Sequence, residues 1–278
     1  MRAIRQPGPA LEPRAVVVPA MLHPCDIMLP AGALLLDTLR DALAARGFRS
    51  GAFTIASGGF SPFGYVIPAL SPDATRAAWY SEARRPPGVT RLEQGALTFG
   101  LRDGASFFHC HATWHEADGA RRGGHILPEE TVIAAPIRLT GVALSGAVFE
   151  VSDDPETGFR LFAPVATDDT RPDGHPGLAL RLRPNQDITL AIKAIAQGAG
   201  YPRAVLRGGV GSIIGARFAG APDSDVPFTE MFIRAGGSSR PLDIAMVDVE
   251  DRLSEGTLVR GENPVLMTLE AVLDPEGD

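Results

Sequence analysis

Phe107-Phe108-His109-Cys110-His111-Ala112-Thr113-Trp114-His115-Glu116-Ala117-Asp118-Gly119-Ala120-Arg121-Arg122-Gly123-Gly124-His125 carries four of the chain's six histidines around an Asp-Gly turn signal. Aromatic and β-branched residues before Asp118-Gly119 predict one strand of a hairpin, and the segment ending in His125-Ile126-Leu127 predicts its partner. Side chains two apart on a strand share a face, so His109 and His111 point one way and Cys110 the other. A three-residue loop centred on Asp118 sets His111 opposite His125 and brings three imidazoles together. A two-residue loop pairs position 112 with 125 and turns His125 away. His115 shares the parity of His109 and His111 but lies about 13 Å from His111 at about 3.3 Å per residue, too far to join them. Three neutral imidazoles on one rigid face suit a borderline divalent ion, with a position left for water or a ligand; zinc is the expectation, and iron and nickel fit the same donors.

The same residues, His109-x-His111, the turn, and Gly123-Gly124-His125-Ile126-Leu127, resemble the signature of the PPC (plants-and-prokaryotes-conserved) domain family. The resemblance covers residues 15–165: a Gly-containing lead-in to a helix (Leu29 to Arg46), a strand into Gly58-Gly59, Glu93 before a strand, and the histidine hairpin. It implies a small α+β domain, assembly into homotrimers and, in prokaryotic members, a metal held by these histidines. Plant members join the domain to an AT-hook, a short Arg-Gly-Arg-Pro element, which this sequence lacks.

Composition bounds the alternatives. With 278 residues, 45% apolar and 21% charged, the chain is long enough for one large or two ordinary cores. A formal charge of −7 with no basic run longer than two residues argues against direct nucleic-acid binding, which leans on clustered Lys and Arg. Two cysteines, Cys25 and Cys110, are too few for a disulfide framework, which suits a reducing cytosol. The N-terminal residues read as no signal peptide and no window is apolar enough for a transmembrane helix, so the expected location is the cytoplasm, off the membrane.

In chain order, residues 1–14 are proline-rich and predict an extended or loosely held arm, followed by a strand at Ala15–Val18. Leu34, Leu35, Leu39, Ala42 and Leu43 recur at helical spacing up to Gly47, a C-cap candidate. Gly58-Gly59 reads as a crowded bend, without the lysine of a phosphate loop or the spacing of a dinucleotide fingerprint. The long connection 68–92 is a candidate lid or interface loop. Residues 166–178 read as a linker, after which the pattern restarts. Asp187–Gly198 mirrors the first helix, and Ser212–Gly215 matches Ser61–Gly64 at an offset of 151 residues. Further on, at an offset of 137, Glu230 matches Glu93, Glu255-Gly256 matches Asp118-Gly119, and Met246, Asp248 and Glu262 replace His109, His111 and His125. The fold expectation is therefore α+β: two tandem copies of a small domain, each a mainly antiparallel sheet covered by a helix, with the copy at 179–278 degenerate.

Three functions are compatible with this reading. A metal at the histidines could polarise a carbonyl or acidify water, with Glu93 as general acid or base and Arg84, Arg85, Arg121 and Arg122 attracting a small anionic ligand. The protein could instead be an oligomeric interaction module with a structural metal. A transcription-related DNA-binding role is the third, which the acidic balance disfavours.

Overall fold

The computed structural model describes residues 2–276. The first half contains β1 (Ala15–Leu29), α1 (Leu35–Ala44), β2 (Gly51–Ala56), β3 (Gly59–Phe60), β4 (Tyr65–Val66), β5 (Pro68–Ala69), β6 (Trp79–Tyr80), β7 (Thr90–Arg102), β8 (Ala105–His115), β9 (Arg121–Ile126), β10 (Ile133–Ala135), β11 (Ile137–Ser145), β12 (Ala147–Asp154) and β13 (Phe159–Ala166). The second contains β14 (His175–Leu182), α2 (Ile188–Gly198), β15 (Ala204–Ile213), β16 (Thr229–Ala235), β17 (Asp243–Asp248), β18 (Leu253–Thr257) and β19 (Val265–Pro275). The protein is thus mostly antiparallel sheet with two short helices among the described residues. None of its described helices is long and apolar enough to cross a membrane.

Six strands of the first half pair antiparallel in the order β1–β11–β2–β7–β8–β9. Six strands of the second pair antiparallel in the order β14–β19–β15–β16–β17–β18. A helix lies between the first two strands in sequence in each half, and it buries every fourth residue: Leu35, Leu39 and Leu43 on α1, Ile188, Ile192 and Ala196 on α2. Each helix covers its own core, the first holding Phe53, Phe99, Phe108 and Trp114, the second Leu180, Ile213, Ile244 and Leu269. Small residues let the two ladders approach each other: Ala96 and Ala245 meet Val210 and Phe232 in a separate buried cluster.

β1 departs from the sequence reading and joins the halves. The segment before α1 is strand as far as Leu29, and the helix begins only at Leu35. Fifteen residues are long enough to serve two partners, so Ala15–Leu22 pairs with β14 and Met21–Leu29 with β11. The described part of the arm, residues 2–14, is also pinned: the Gln6 side-chain amide donates to the Leu266 carbonyl at 2.8 Å, and Arg14 grips Glu156 with both terminal nitrogens at 2.8 Å. Strand pairing runs through Ala166 and resumes at His175, so part of the stretch expected as a linker, 166–178, is strand. The bend at Gly58-Gly59 is crowded as expected: a Cβ on Gly58 would lie 2.3 Å from the Pro136 carbonyl oxygen.

Helix α2 is fixed at its start by a carboxylate. Asp187 Oδ1 accepts from the Leu190 amide at 2.9 Å, and Oδ2 accepts from the Asn263 amide at 2.7 Å. Replacing Asp187 by Ala removes the cap and strands two amide donors, so a loss of about 1–2 kcal/mol is expected in urea unfolding. A loss below about 0.5 kcal/mol would show that the cap does not hold the helix.

Candidate metal centre

The hairpin takes the register that unites its histidines. His111 lies opposite His125 and His115 opposite Arg121, while the Glu116 amide donates to the Ala120 carbonyl at 2.9 Å, leaving Ala117-Asp118-Gly119 as the loop. Gly119 takes φ +86°, a conformation glycine adopts without strain. Gly124 is demanded by close approach: a Cβ there would lie 2.6 Å from the Val66 carbonyl oxygen of β4. Along β8, Phe108, Cys110, Ala112 and Trp114 fill the first core, and burial pushes the Cys110 thiol up so that it stays protonated. His109 and His111 therefore face away from that core, toward the second half.

One donor atom from each of His109, His111, His125 and Glu230 lies within 4.8 Å of the others. His111 Nε2 is 3.0 Å from His109 Nε2, 3.1 Å from His125 Nδ1 and 2.7 Å from Glu230 Oε2. Two of the three outer nitrogens are held. His109 Nδ1 lies 2.6 Å from Glu270 Oε2, and His111 Nδ1 lies 2.9 Å from the Met231 carbonyl. A carbonyl only accepts, so His111 Nδ1 carries its proton and a neutral His111 turns its Nε2 lone pair inward; the Glu270 carboxylate fixes His109 the same way. Behind Glu270 stands a buried chain: Thr268 Oγ1 donates to Glu270 Oε1 at 3.1 Å, Arg181 Nε donates to Thr268 Oγ1 at 3.2 Å, and Arg181 donates to Asp154 at 2.7 Å.

The electrostatics separate the three imidazoles. Burial and the neighbouring His109 and His111 hold His125 well below the usual histidine range, so it is neutral and able to ligate. Burial alone would lower His109, but Glu270 and Glu230 outweigh it and raise it. Tyr80, from the 68–92 connection, packs against the His125 ring with centroids 5.2 Å apart, and burial beside Glu230 and Glu270 pushes its phenol well above the ordinary value. A cavity of about 520 Å³ opens from His109 and His125 between β12–β13 and the β5–β6 connection.

The other candidate residues lie elsewhere. Glu93 is held by Arg121 at 2.7 Å and by His115 at 3.4 Å, and it makes no hydrogen bond to the three clustered histidines. Burial would raise its carboxyl, but Arg121, Thr113 and His115 keep it low, as suits a clasp and not a proton shuttle. Arg84 donates to Asp251 at 2.7 Å, with Arg122 3.7 Å from the same carboxylate, and Arg85 grips Glu130 with two contacts of 2.7 Å. Arg84 and Arg122 on Asp251, with Arg121 on Glu255 at 2.5 Å, tie the first half to the second, and Arg85 ties the 68–92 connection to the segment after β9; none lines the 520 Å³ cavity. The arginines that do line it are Arg76, Arg102 and Arg160.

In the second half the offset of 137 fails at the hairpin. The β17–β18 turn falls at 249–252, so Glu255-Gly256 lies inside β18 and the exposed Glu262 precedes β19. Asp248 is spent on its own turn, accepting from the amides of Glu250 and Arg252, and forms no carboxylate pair with Glu262. Glu230 and Glu270 were not read as site residues from the sequence. For Glu230 the signal was its match to Glu93; for Glu270, a lone acid inside an apolar strand, there was burial cost but no partner in view.

No protein-family profile matches the chain, and no curated protein does. Similar solved structures include a metal-containing protein of Archaeoglobus fulgidus, at 19% identity over 51% of this chain and 94% of that one, with a TM-score of 0.41. Another is the plant- and prokaryote-conserved (PPC) protein of Pyrococcus horikoshii, at 19% identity over 53% of this chain and 96% of that one, also with a TM-score of 0.41. Each neighbour is similar to about half of this chain, and at such scores the functional reading rests on the chain's own residues.

Proposed function

We propose that the chain is a PPC-like protein of two related units, residues 15–165 and 179–278, which binds one divalent metal, best matched by zinc, and acts on or senses a small anionic ligand there. His109, His111 and His125 of the first unit and Glu230 of the second would hold the ion. The observation that carries this is the convergence of three imidazole nitrogens, with the outer positions of His109 and His111 already committed. A proton on His111 Nε2 would satisfy Glu230 at 2.7 Å and leave His109 Nε2 and His125 Nδ1 facing it without a donor. A cation satisfies all four at once, and carboxylate- or carbonyl-anchored histidines are the usual support of such an ion.

The common strand order of the halves, and the match of Leu35, Leu39 and Leu43 to Ile188, Ile192 and Ala196, support the two-unit reading. A bound divalent ion supplies Lewis acidity, polarising an oxygen of a ligand or of water. Four protein donors suffice for a structural ion, so it is the cavity reaching His109 and His125 that favours access by a ligand. The arginines of the hairpin, committed to carboxylates, give no support to a nucleic-acid surface.

Elemental analysis of untagged protein, purified without chelator, is the test. About one ion per chain is expected in the wild type and in His115→Ala, and none in His125→Ala with an unchanged circular dichroism spectrum. A wild type that keeps no divalent metal after purification and reconstitution would end the proposal.

A further inference from the structure

The cavity above the histidines has a chemical character of its own. Of the chain's two tryptophans, three tyrosines and thirteen phenylalanines, five residues line this one space. Two arginines lie over those rings: the Arg76 guanidinium carbon is 4.3 Å from the Trp79 centroid and 5.3 Å from that of Phe159, and that of Arg102 is 4.9 Å from Phe107. Arg76 Nε donates to the Gly158 carbonyl at 2.9 Å, which fixes the plane of its fork. Among the described residues neither Arg76 nor Arg102 has a carboxylate partner, unlike Arg160, which Asp103 and Asp153 hold at 2.6 and 3.6 Å. The cavity's own carboxylates are Asp153 and Glu270, the second engaged with His109. In a chain of formal charge −7, two guanidinium groups over aromatic rings, neither in an ion pair among the described residues, face one aromatic cavity.

We infer that this cavity takes a small aromatic carboxylate. The carboxylate lies on Arg76 and Arg102, whose planar donors match its two oxygens. The ring lies among Trp79, Phe107 and Phe159, and its far end is directed toward His109 and His125. Only this last contact rests on the metal reading above; the arginine and aromatic contacts stand without it.

Trp79 reports on the site directly, since Trp114, the second tryptophan, is buried in the first core. Benzoate, cyclohexanecarboxylate and benzyl alcohol are titrated into zinc-reconstituted and chelator-treated protein while tryptophan emission is followed. Saturable quenching by benzoate is expected, with affinity at least about tenfold weaker for Arg76→Gln/Arg102→Gln and for the other two probes. Both arginines are on the rim, so the double variant should keep the wild-type melting temperature. Benzoate binding that is lost in the double variant but indifferent to zinc supports the inference while counting against a metal role in this ligand's binding. Absence of saturable benzoate binding to the zinc-loaded wild type overturns it and leaves the metal reading intact. Equal affinity for cyclohexanecarboxylate, or an unchanged affinity in the double variant, overturns it as well.

Discussion

Asp154→Asn should destabilise the protein by about 3 kcal/mol, at the lower end of what removing one partner of a buried ion pair costs. Asp154 Oδ2 accepts from Arg181 at 2.7 Å and from Arg183 at 2.9 Å, and Oδ1 accepts from the Thr157 amide at 2.9 Å. Arg181 is only 2% exposed, so without the carboxylate its charge is left inside with Thr268 as its remaining partner. At about 2–4 °C per kcal/mol for a chain of this size, the melting temperature should fall by about 6–12 °C. Asp153→Asn is the control: that side chain is 92% exposed and its loss should stay within about 0.5 kcal/mol. The pH dependence has a definite sign. Burial alone would raise the Asp154 carboxyl, but Arg181 and Thr157 outweigh it and hold it below the usual range. Its contribution is therefore fully present well above the unfolded value of about 3.9 and is lost as pH falls through the lower folded value. Wild type and Asp154→Asn should converge in stability in acid; a difference that stays constant from pH 7 to 3 would show that the carboxylate charge is not what stabilises. Because Arg181 also supports Thr268 behind Glu270, the variant should hold metal more weakly at neutral pH.

What could be read from the sequence, and what could not, divides along sequence separation. The hairpin register followed from a local question, the length of the loop around Asp118, and strand parity then placed His109 and His111 on one face and Cys110 in the core. Both helices were marked by apolar residues at every third or fourth position. The strand before the first helix was read too short, at Ala15–Val18, because only pairing with β11 carries it on to Leu29. The remaining site residues come from contacts that no local pattern encodes. Glu230 meets His111 across 119 positions of sequence, and Glu270 meets His109 across 161. Arg84, Arg85 and Arg122 stood out because they adjoin the hairpin, yet adjacency to an acid claims them first: Asp251 and Glu130 are within reach and a paired guanidinium is not free for a ligand. Arg76 and Arg102 make no ion pair among the described residues and sit instead over aromatic rings of the same cavity.

The placement of the acids leads to the second large effect. Glu230→Gln should weaken metal retention by about 10–100-fold, Glu270→Gln by an amount within the same range, and Glu93→Gln not at all. Glu230 is 2.7 Å from the nitrogen on which the cluster converges, so it acts on the ion directly. Glu270, fully buried, acts through His109: its charge orients the ring and raises the basicity of the inward nitrogen, and a Gln carbonyl would keep the hydrogen bond while losing the charge. Glu93 touches only Arg121, His115 and their neighbours, so its removal should loosen the clasp between hairpin and second half without reaching the centre. Competition against a chromophoric chelator of known affinity measures all three on one scale, with urea unfolding run alongside to separate loss of metal from loss of fold. Weakening by Glu93→Gln equal to that of Glu230→Gln would mean that the centre depends on how the halves are held and not on which carboxylate faces the imidazoles. Weakening confined to Glu230 and Glu270 would mean that the histidines of the first half form a competent site only when the second half supplies its acids.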